Sequence, residues 1–196
     1  MSSSSHGFEY ATGAIHGRFQ PFHSGHMRYL NMALERAHLV YIGITNPDAP
    51  HSTQYDSADP VRHLISHNPL TYDERAAIIS MALHHLRDFS VASRVRIVRF
   101  DVNGDPALWQ ETIPREAVQF VVPHEPWDEE KAERFLSAGY QVEFLPTEVN
   151  RVTATLVRGL IRAGNASWRD HLPHGVAAQL QQSGLINRIS LARTEQ

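Results

Sequence analysis

Apolar positions along this chain alternate between two spacings. Short runs rich in β-branched residues, TGAIH at 12–16, LVYIGIT at 39–45, VRIVRF at 95–100, VQFVV at 118–122 and QVEFL at 141–145, have the length and make-up of strands. Helical spacing separates them. Residues 26–37 carry Leu30, Ala33, Leu34 and Ala37 on one face. Residues 73–86 follow Thr71, with Glu74 three positions later, the signature of a capping box. Residues 128–138 end at Gly139, residues 155–163 end at Gly164-Asn165, and 174–182 form a last helix. The alternation predicts an α/β fold: a Rossmann-like, doubly wound parallel sheet of five to six strands with C-terminal helices. Residues 1–10 are expected to be a flexible polar leader and 11–190 a single domain, with a long polar loop at 46–67.

The segment GRFQPFHSGH, residues 17–26, joins the first predicted strand to the first predicted helix. A helix N-terminus after a glycine-containing turn is where backbone N–H groups and the helix dipole favour an anion. Gly17 allows close backbone approach and Pro21 stiffens the turn. His23 and His26, three apart across Gly25, can face one ligand if the helix begins there. The plain alternative is a pair of surface or core histidines beside a tight turn. A zinc pair is a weaker one, because no third ligand is evident.

Composition narrows the classes. The 196 residues carry a formal charge of −3, which argues against a nucleic-acid partner. There is no cysteine, so disulfides and thiolate chemistry are excluded. No apolar stretch approaches a membrane span and the start lacks a signal-peptide pattern; the expected location is the cytoplasm. Of 18 Lys and Arg residues, Lys131 is the only lysine. Genome composition explains that bias, while guanidinium forks also suit phosphate.

The string at 17–26 resembles the GxFxPxHxGH signature of the HxGH nucleotidyltransferase superfamily, with Gly17, Phe19, Pro21, His23, Gly25 and His26 all matching. RVTATLVR at 151–158 resembles its second signature, a hydroxyl-rich turn with an arginine one turn into a helix. NPLTYDER (68–75), DVNGDPALW (101–109), VPHEPW (122–127) and SWRDHLPHGVAAQL (167–180) are similar to stretches of the archaeal-type NMN adenylyltransferase branch. The resemblance implies transfer of a nucleoside monophosphate from a triphosphate to a small anionic acceptor, with pyrophosphate released. It implies that His23 and His26 grip the triphosphate, that Arg18 bridges acceptor and α-phosphate, and that Arg158, Thr153 and Thr155 hold the leaving group. Gly17, Phe19, Pro21 and Gly25 would shape the nucleotide-binding loop. Mg²⁺ would be held mainly by phosphates and water, with no dedicated protein metal site.

The acceptor side departs from that branch. Asp105-Pro106 stands where an amide-reading Asn is expected, and His124-Glu125 replaces an Asn-Asn turn. Candidate acceptor contacts are Arg18, His67, Trp109, His124 and Arg151. An Arg/His-lined pocket implies a smaller, more anionic acceptor and leads toward the phosphonate-using cytidylyltransferases related to this branch, with CTP as donor and phosphonoformate as acceptor. ATP with NMN is the alternative, and a nucleotide-binding module without catalysis is a third reading. A homo-oligomer is left open.

Overall fold

A computed structural model describes residues 7–47, 67–86, 89–147 and 151–192. Five parallel strands, β1 (Tyr10–Gly17), β2 (Ala37–Ile44), β3 (Val95–Arg99), β4 (Val118–Val121) and β5 (Val142–Phe144), lie in the order β3-β2-β1-β4-β5. Among the described residues seven α-helices accompany them: α1 (Ser24–Arg36), α2 (Tyr72–His84), α3 (Phe89–Ser93), α4 (Pro126–Ser137), α5 (Ala154–Arg162), α6 (Val176–Gln182) and α7 (Leu185–Leu191). β1 pairs with β2 from Tyr10↔Ala37 to Gly17↔Ile44 and with β4 at Gly13↔Val118. The chain builds one side of β1 first and then crosses to the other. That reversal opens a crevice between the carboxyl ends of β1 and β4, the usual place for a ligand in such a sheet.

Both faces of the sheet are covered, which is why its strands read as nearly continuous apolar runs. One core joins Ile15, Ile42 and Ile44 to Phe19, Phe22, Leu30, Ile78, Val157 and Leu180. The other joins Ala14 to Phe100, Trp109, Ile113, Phe135 and Tyr140 beneath α4. Ala14 and Ile15 face opposite ways because strand side chains alternate.

The predicted parallel sheet is present, with five strands among the described residues. The first strand begins two residues before the predicted 12–16, and α1 begins at Ser24 rather than 26 because His23 supplies its cap. The short helices α3 and α7 and two 3₁₀ turns, Pro106–Glu111 and Ala166–His171, were not predicted. Five to seven residues hold too little of a 3.6-residue repeat to register. α7, for example, offers only Leu185 and Ile189 as buried positions. Of the predicted 46–67 loop, residues 48–66 lie outside the described residues, as do residues 1–6 of the leader. Among the described residues no helix is long and apolar enough to cross a membrane.

Candidate active site

β1 ends at Gly17, and α1 begins after a loop of six residues. His23 is the N-cap of α1 and His26 its third residue. Each backbone N–H donates to the other's ring: His26 N to His23 Nδ1 at 3.4 Å and His23 N to His26 Nδ1 at 3.3 Å. The rings stack with centroids 3.6 Å apart. With both Nδ1 atoms accepting, the neutral tautomer carries its proton on Nε2, so each ring keeps an N–H donor for an anion. Burial, reinforced by Arg28, Arg151 and Arg158, pulls the His23 imidazole down to about 3. Burial, then His23, Arg151 and Arg18, likewise holds His26 well below the ordinary range. Both are thus neutral donors among cations. An incoming anion favours their charged form.

Three buried side chains fix the loop. Gln20 forms a reciprocal pair with Leu70, Nε2 donating to its carbonyl and Oε1 accepting from its N–H, each at 2.9 Å. Arg75 donates from Nη1 to the carbonyls of Arg18 (2.9 Å) and Thr45 (2.8 Å) and from Nη2 to that of Asn46 (2.9 Å), tying together the chain beyond β1 and β2. Arg158 Nη1 donates to the Gln20 carbonyl at 2.8 Å. NPLTYDER therefore acts locally as the brace of the β1–α1 loop: its Leu70 and Arg75 grip that loop, while Thr71 and Glu74 cap α2 as the sequence predicts. Tyr29 O–H donates to the Phe120 carbonyl and fastens α1 to β4 across the crevice.

The downstream motif arrives at the same place. Thr153 caps α5, its hydroxyl accepting from Leu156 N at 3.1 Å. Arg158 Nη2 donates to Thr155 Oγ1 at 3.3 Å. Burial, with Arg18 and Arg162 next, lowers the Arg158 guanidinium to about 10, so it stays charged at neutral pH. Gly25 explains how closely the motifs meet: a Cβ there would lie 2.9 Å from the Val152 carbonyl and 3.1 Å from the His23 ring. His23, His26, Arg18, Thr153, Thr155 and Arg158 all line one cleft of about 420 Å³ at the switch point.

A model of the cytidylyltransferase-like family matches residues 14–148. This chain belongs to that family. It is 36% identical to the phosphonoformate cytidylyltransferase of Streptomyces viridochromogenes over 180 residues, covering 91% of this chain and 95% of the relative. It is 29% identical to the nicotinamide-nucleotide adenylyltransferase of Ignicoccus hospitalis, covering 88% and 92% respectively. Among solved structures it resembles the bifunctional NMN adenylyltransferase/ADP ribose pyrophosphatase of Francisella tularensis, which holds AMP and a manganese ion. There the TM-score is 0.61 at 15% identity, over 92% of this chain and 52% of that one. The chain thus spans about half of that protein, and the likeness speaks to the fold. The cytidylyltransferase-like chain described here is a nucleotidyltransferase.

Most of the residues predicted for this family's site come together. Phe19, Gly25, His124 and Arg151 line the cleft with the six named above, and Gly17 lines a recess beside it. Pro21 is buried within the loop and lines neither the cleft nor the recess. Two predicted acceptor contacts lie elsewhere. Trp109 is 3% exposed in the core with Phe100, Phe135 and Tyr140, its indole N–H donating to the Asp101 carbonyl at 2.9 Å. Its large apolar ring gains more from that packing than from a wet pocket edge. His67 is not among the residues lining the cleft or the recess. The sequence reading missed His16, Gln20, Tyr29, Asp128 and Lys131, all of which line the cleft. Asp128 accepts from the N–H groups of His124 and Glu125 at 3.1 Å each and pairs with Lys131 Nζ at 3.1 Å. Arg151 pairs with Glu125 at 3.2 Å. Among the described residues no group of three or more His, Asp or Glu is placed to hold a metal ion.

Proposed function

We propose that this enzyme transfers the cytidylyl group of CTP to a small phosphonate, phosphonoformate being the first choice, and releases pyrophosphate. The observation that carries the reading is the meeting of His23, His26, Thr153, Thr155 and Arg158 in one cleft, beside a recess of only about 100 Å³. Pockets that hold drug-sized ligands run to roughly 300–1,000 Å³, so the recess suits a compact acceptor. The sequence likeness to a phosphonoformate cytidylyltransferase supports the same choice.

In the reaction, a phosphonate oxygen attacks the α-phosphorus in line. The new P–O–P bond forms as the bond from the α-phosphorus to the bridging oxygen breaks, and pyrophosphate departs. The attacking oxygen is already anionic, so no strong base is needed. The protein contributes position and charge stabilisation. The Nε2–H groups of His23 and His26 grip the triphosphate, Arg18 lies between acceptor and α-phosphate, and Arg158 with Thr153 and Thr155 takes the leaving pyrophosphate. The cleft's guanidinium, imidazole and hydroxyl donors suit phosphate oxygens, and the nearby carboxylates of Glu125 and Asp128 are engaged with Arg151 and Lys131. Mg²⁺ would therefore enter with the triphosphate, held by its phosphates and water, and would offset its charge. This reading assigns the enzyme to the cytoplasm, where nucleoside triphosphates are kept.

The second reading, adenylyl transfer to NMN, is favoured by the likeness to nicotinamide-nucleotide adenylyltransferases. The test is phosphate release in the presence of Mg²⁺ and pyrophosphatase, with CTP or ATP crossed against phosphonoformate and NMN. Release is expected with CTP and phosphonoformate. Release confined to ATP and NMN would establish the second reading instead.

A further inference from the structure

His16 is 4% exposed on β1, and neither ring nitrogen has a hydrogen-bond partner among the described residues. Its ring lies between those of Phe100 and Phe135, centroids 4.8 Å away in each case. A Cβ on Gly43 would come within 2.8 Å of it, so the slot is shaped around the imidazole. A buried polar group without a partner typically costs about 1–3 kcal/mol, and a plain core position would be filled more stably by Leu or Phe. His16 instead lines both the triphosphate cleft and the recess, as do Arg18, Asp128 and Lys131.

Lys131, the chain's single lysine, stands beside it. Its charge reaches the imidazole: burial first, then Lys131, holds His16 well below the ordinary range and therefore neutral. Lys131 is 7% exposed and gives Asp128 one Nζ contact, while an ammonium has three protons to donate. Across the recess Asn103 accepts from Arg134 Nη1 at 3.1 Å through Oδ1, which leaves its amide N–H groups as donors.

We propose that His16 and Lys131 form an acid-binding subsite that takes a second acidic group of the acceptor, a carboxylate, while the reacting phosphonate lies at Arg18. The phosphonate acceptor proposed above, on which this rests, supplies the reacting group; the recess explains why a carboxylated phosphonate would be chosen over one without a second acidic group. A carboxylate there accepts from the Lys131 ammonium and from the His16 N–H. Both contacts are made at a buried position, where charge-assisted bonds are strongest. Held there, the carboxylate leaves the phosphonate end facing the cleft beside Arg18, which lines both spaces.

The test is binding rather than turnover. The protein is saturated with a CTP analogue carrying a methylene group between the α- and β-phosphorus, and the affinities for phosphonoformate and methylphosphonate are measured by calorimetry. Wild-type protein is expected to prefer phosphonoformate by at least roughly tenfold, the scale of one charge-assisted contact. Lys131→Gln is expected to bring the two ligands within about twofold by the same argument, with an unchanged far-UV circular dichroism spectrum and cooperative urea unfolding as the check on folding. Lys131→Arg should keep the preference. His16→Gln, a second variant that leaves the Lys131–Asp128 pair intact, should weaken it. Equal affinities in the wild type, or a preference that survives in both Lys131→Gln and His16→Gln, would overturn the subsite. Turnover of CTP with phosphonoformate by the wild type is scored separately, so failure of the proposed reaction and failure of the subsite give different results.

Discussion

Histidines that cannot easily hold a proton set the character of the site. His23 and His26 sit among Arg18, Arg28, Arg151 and Arg158, and their neutrality limits repulsion before an anion arrives. Stability should follow. In the unfolded chain these residues and His16 take up protons around their ordinary value of 6.5, while the folded chain keeps them neutral well below it. Acid therefore favours unfolding, and the stabilisation present above pH 6.5 is lost progressively below it. Each such histidine contributes a slope of up to about 1.4 kcal/mol per pH unit. Urea melts at pH 7, 6 and 5 should show falling stability, with a shallower fall in His23→Asn; identical slopes for the two proteins would contradict the assignment. At this scale His23 and His26 were legible because their motif is contiguous and its chemistry local. His16 and Lys131 were not. A histidine inside an apolar strand and a lysine in an amphipathic helix are ordinary in sequence, and only their juxtaposition across the sheet end marks them. Trp109 erred the other way, since a Trp beside a loop reads equally well as a stacking platform or as core, and tertiary packing decides.

At the scale of elements, two helix N-termini, those of α1 and α5, meet at the end of β1, and α2 holds the loop between them. The brace works through backbone groups. Gln20 satisfies the buried N–H and carbonyl of Leu70, and Arg75 binds carbonyls from both strand ends. Replacing Gln20 with Leu keeps the volume but leaves the Leu70 groups unsatisfied, a cost on the order of 2–4 kcal/mol. Gln20→Leu should lower the urea midpoint and raise KM for the triphosphate, because the loop carrying Phe19 and His23 loses its anchor. A variant as stable as wild type with unaltered KM would show that the brace is dispensable. The strands and the main helices could be read from apolar spacing and caps, and the two motifs of the cleft from the family resemblance. What escaped was short or cooperative: α3, α7 and the 3₁₀ turns are too brief for periodicity. The bracing role of NPLTYDER depends on contacts 50 and 57 residues apart, Gln20 to Leu70 and Arg18 to Arg75.

Over the whole molecule, the sheet order β3-β2-β1-β4-β5 turns a strand–loop–helix motif and a distant arginine into one cleft. Parallel strands bring their carboxyl ends, and the helix starts that follow them, to one edge. A polyphosphate placed there meets both motifs at once. That convergence was expected from the resemblance and is the feature on which the proposed chemistry depends. The most direct measurement of it is ³¹P NMR of CTP, phosphonoformate and Mg²⁺ with wild-type protein and with His26→Ala. The account predicts that wild-type protein consumes the β- and γ-phosphate signals, releases pyrophosphate and moves the phosphonate resonance to that of a coupled P–O–P anhydride. His26→Ala should do so about 10²–10³ times more slowly, the usual loss for one transition-state donor. Unchanged CTP in the wild-type reaction, or near-normal conversion by His26→Ala, would contradict it.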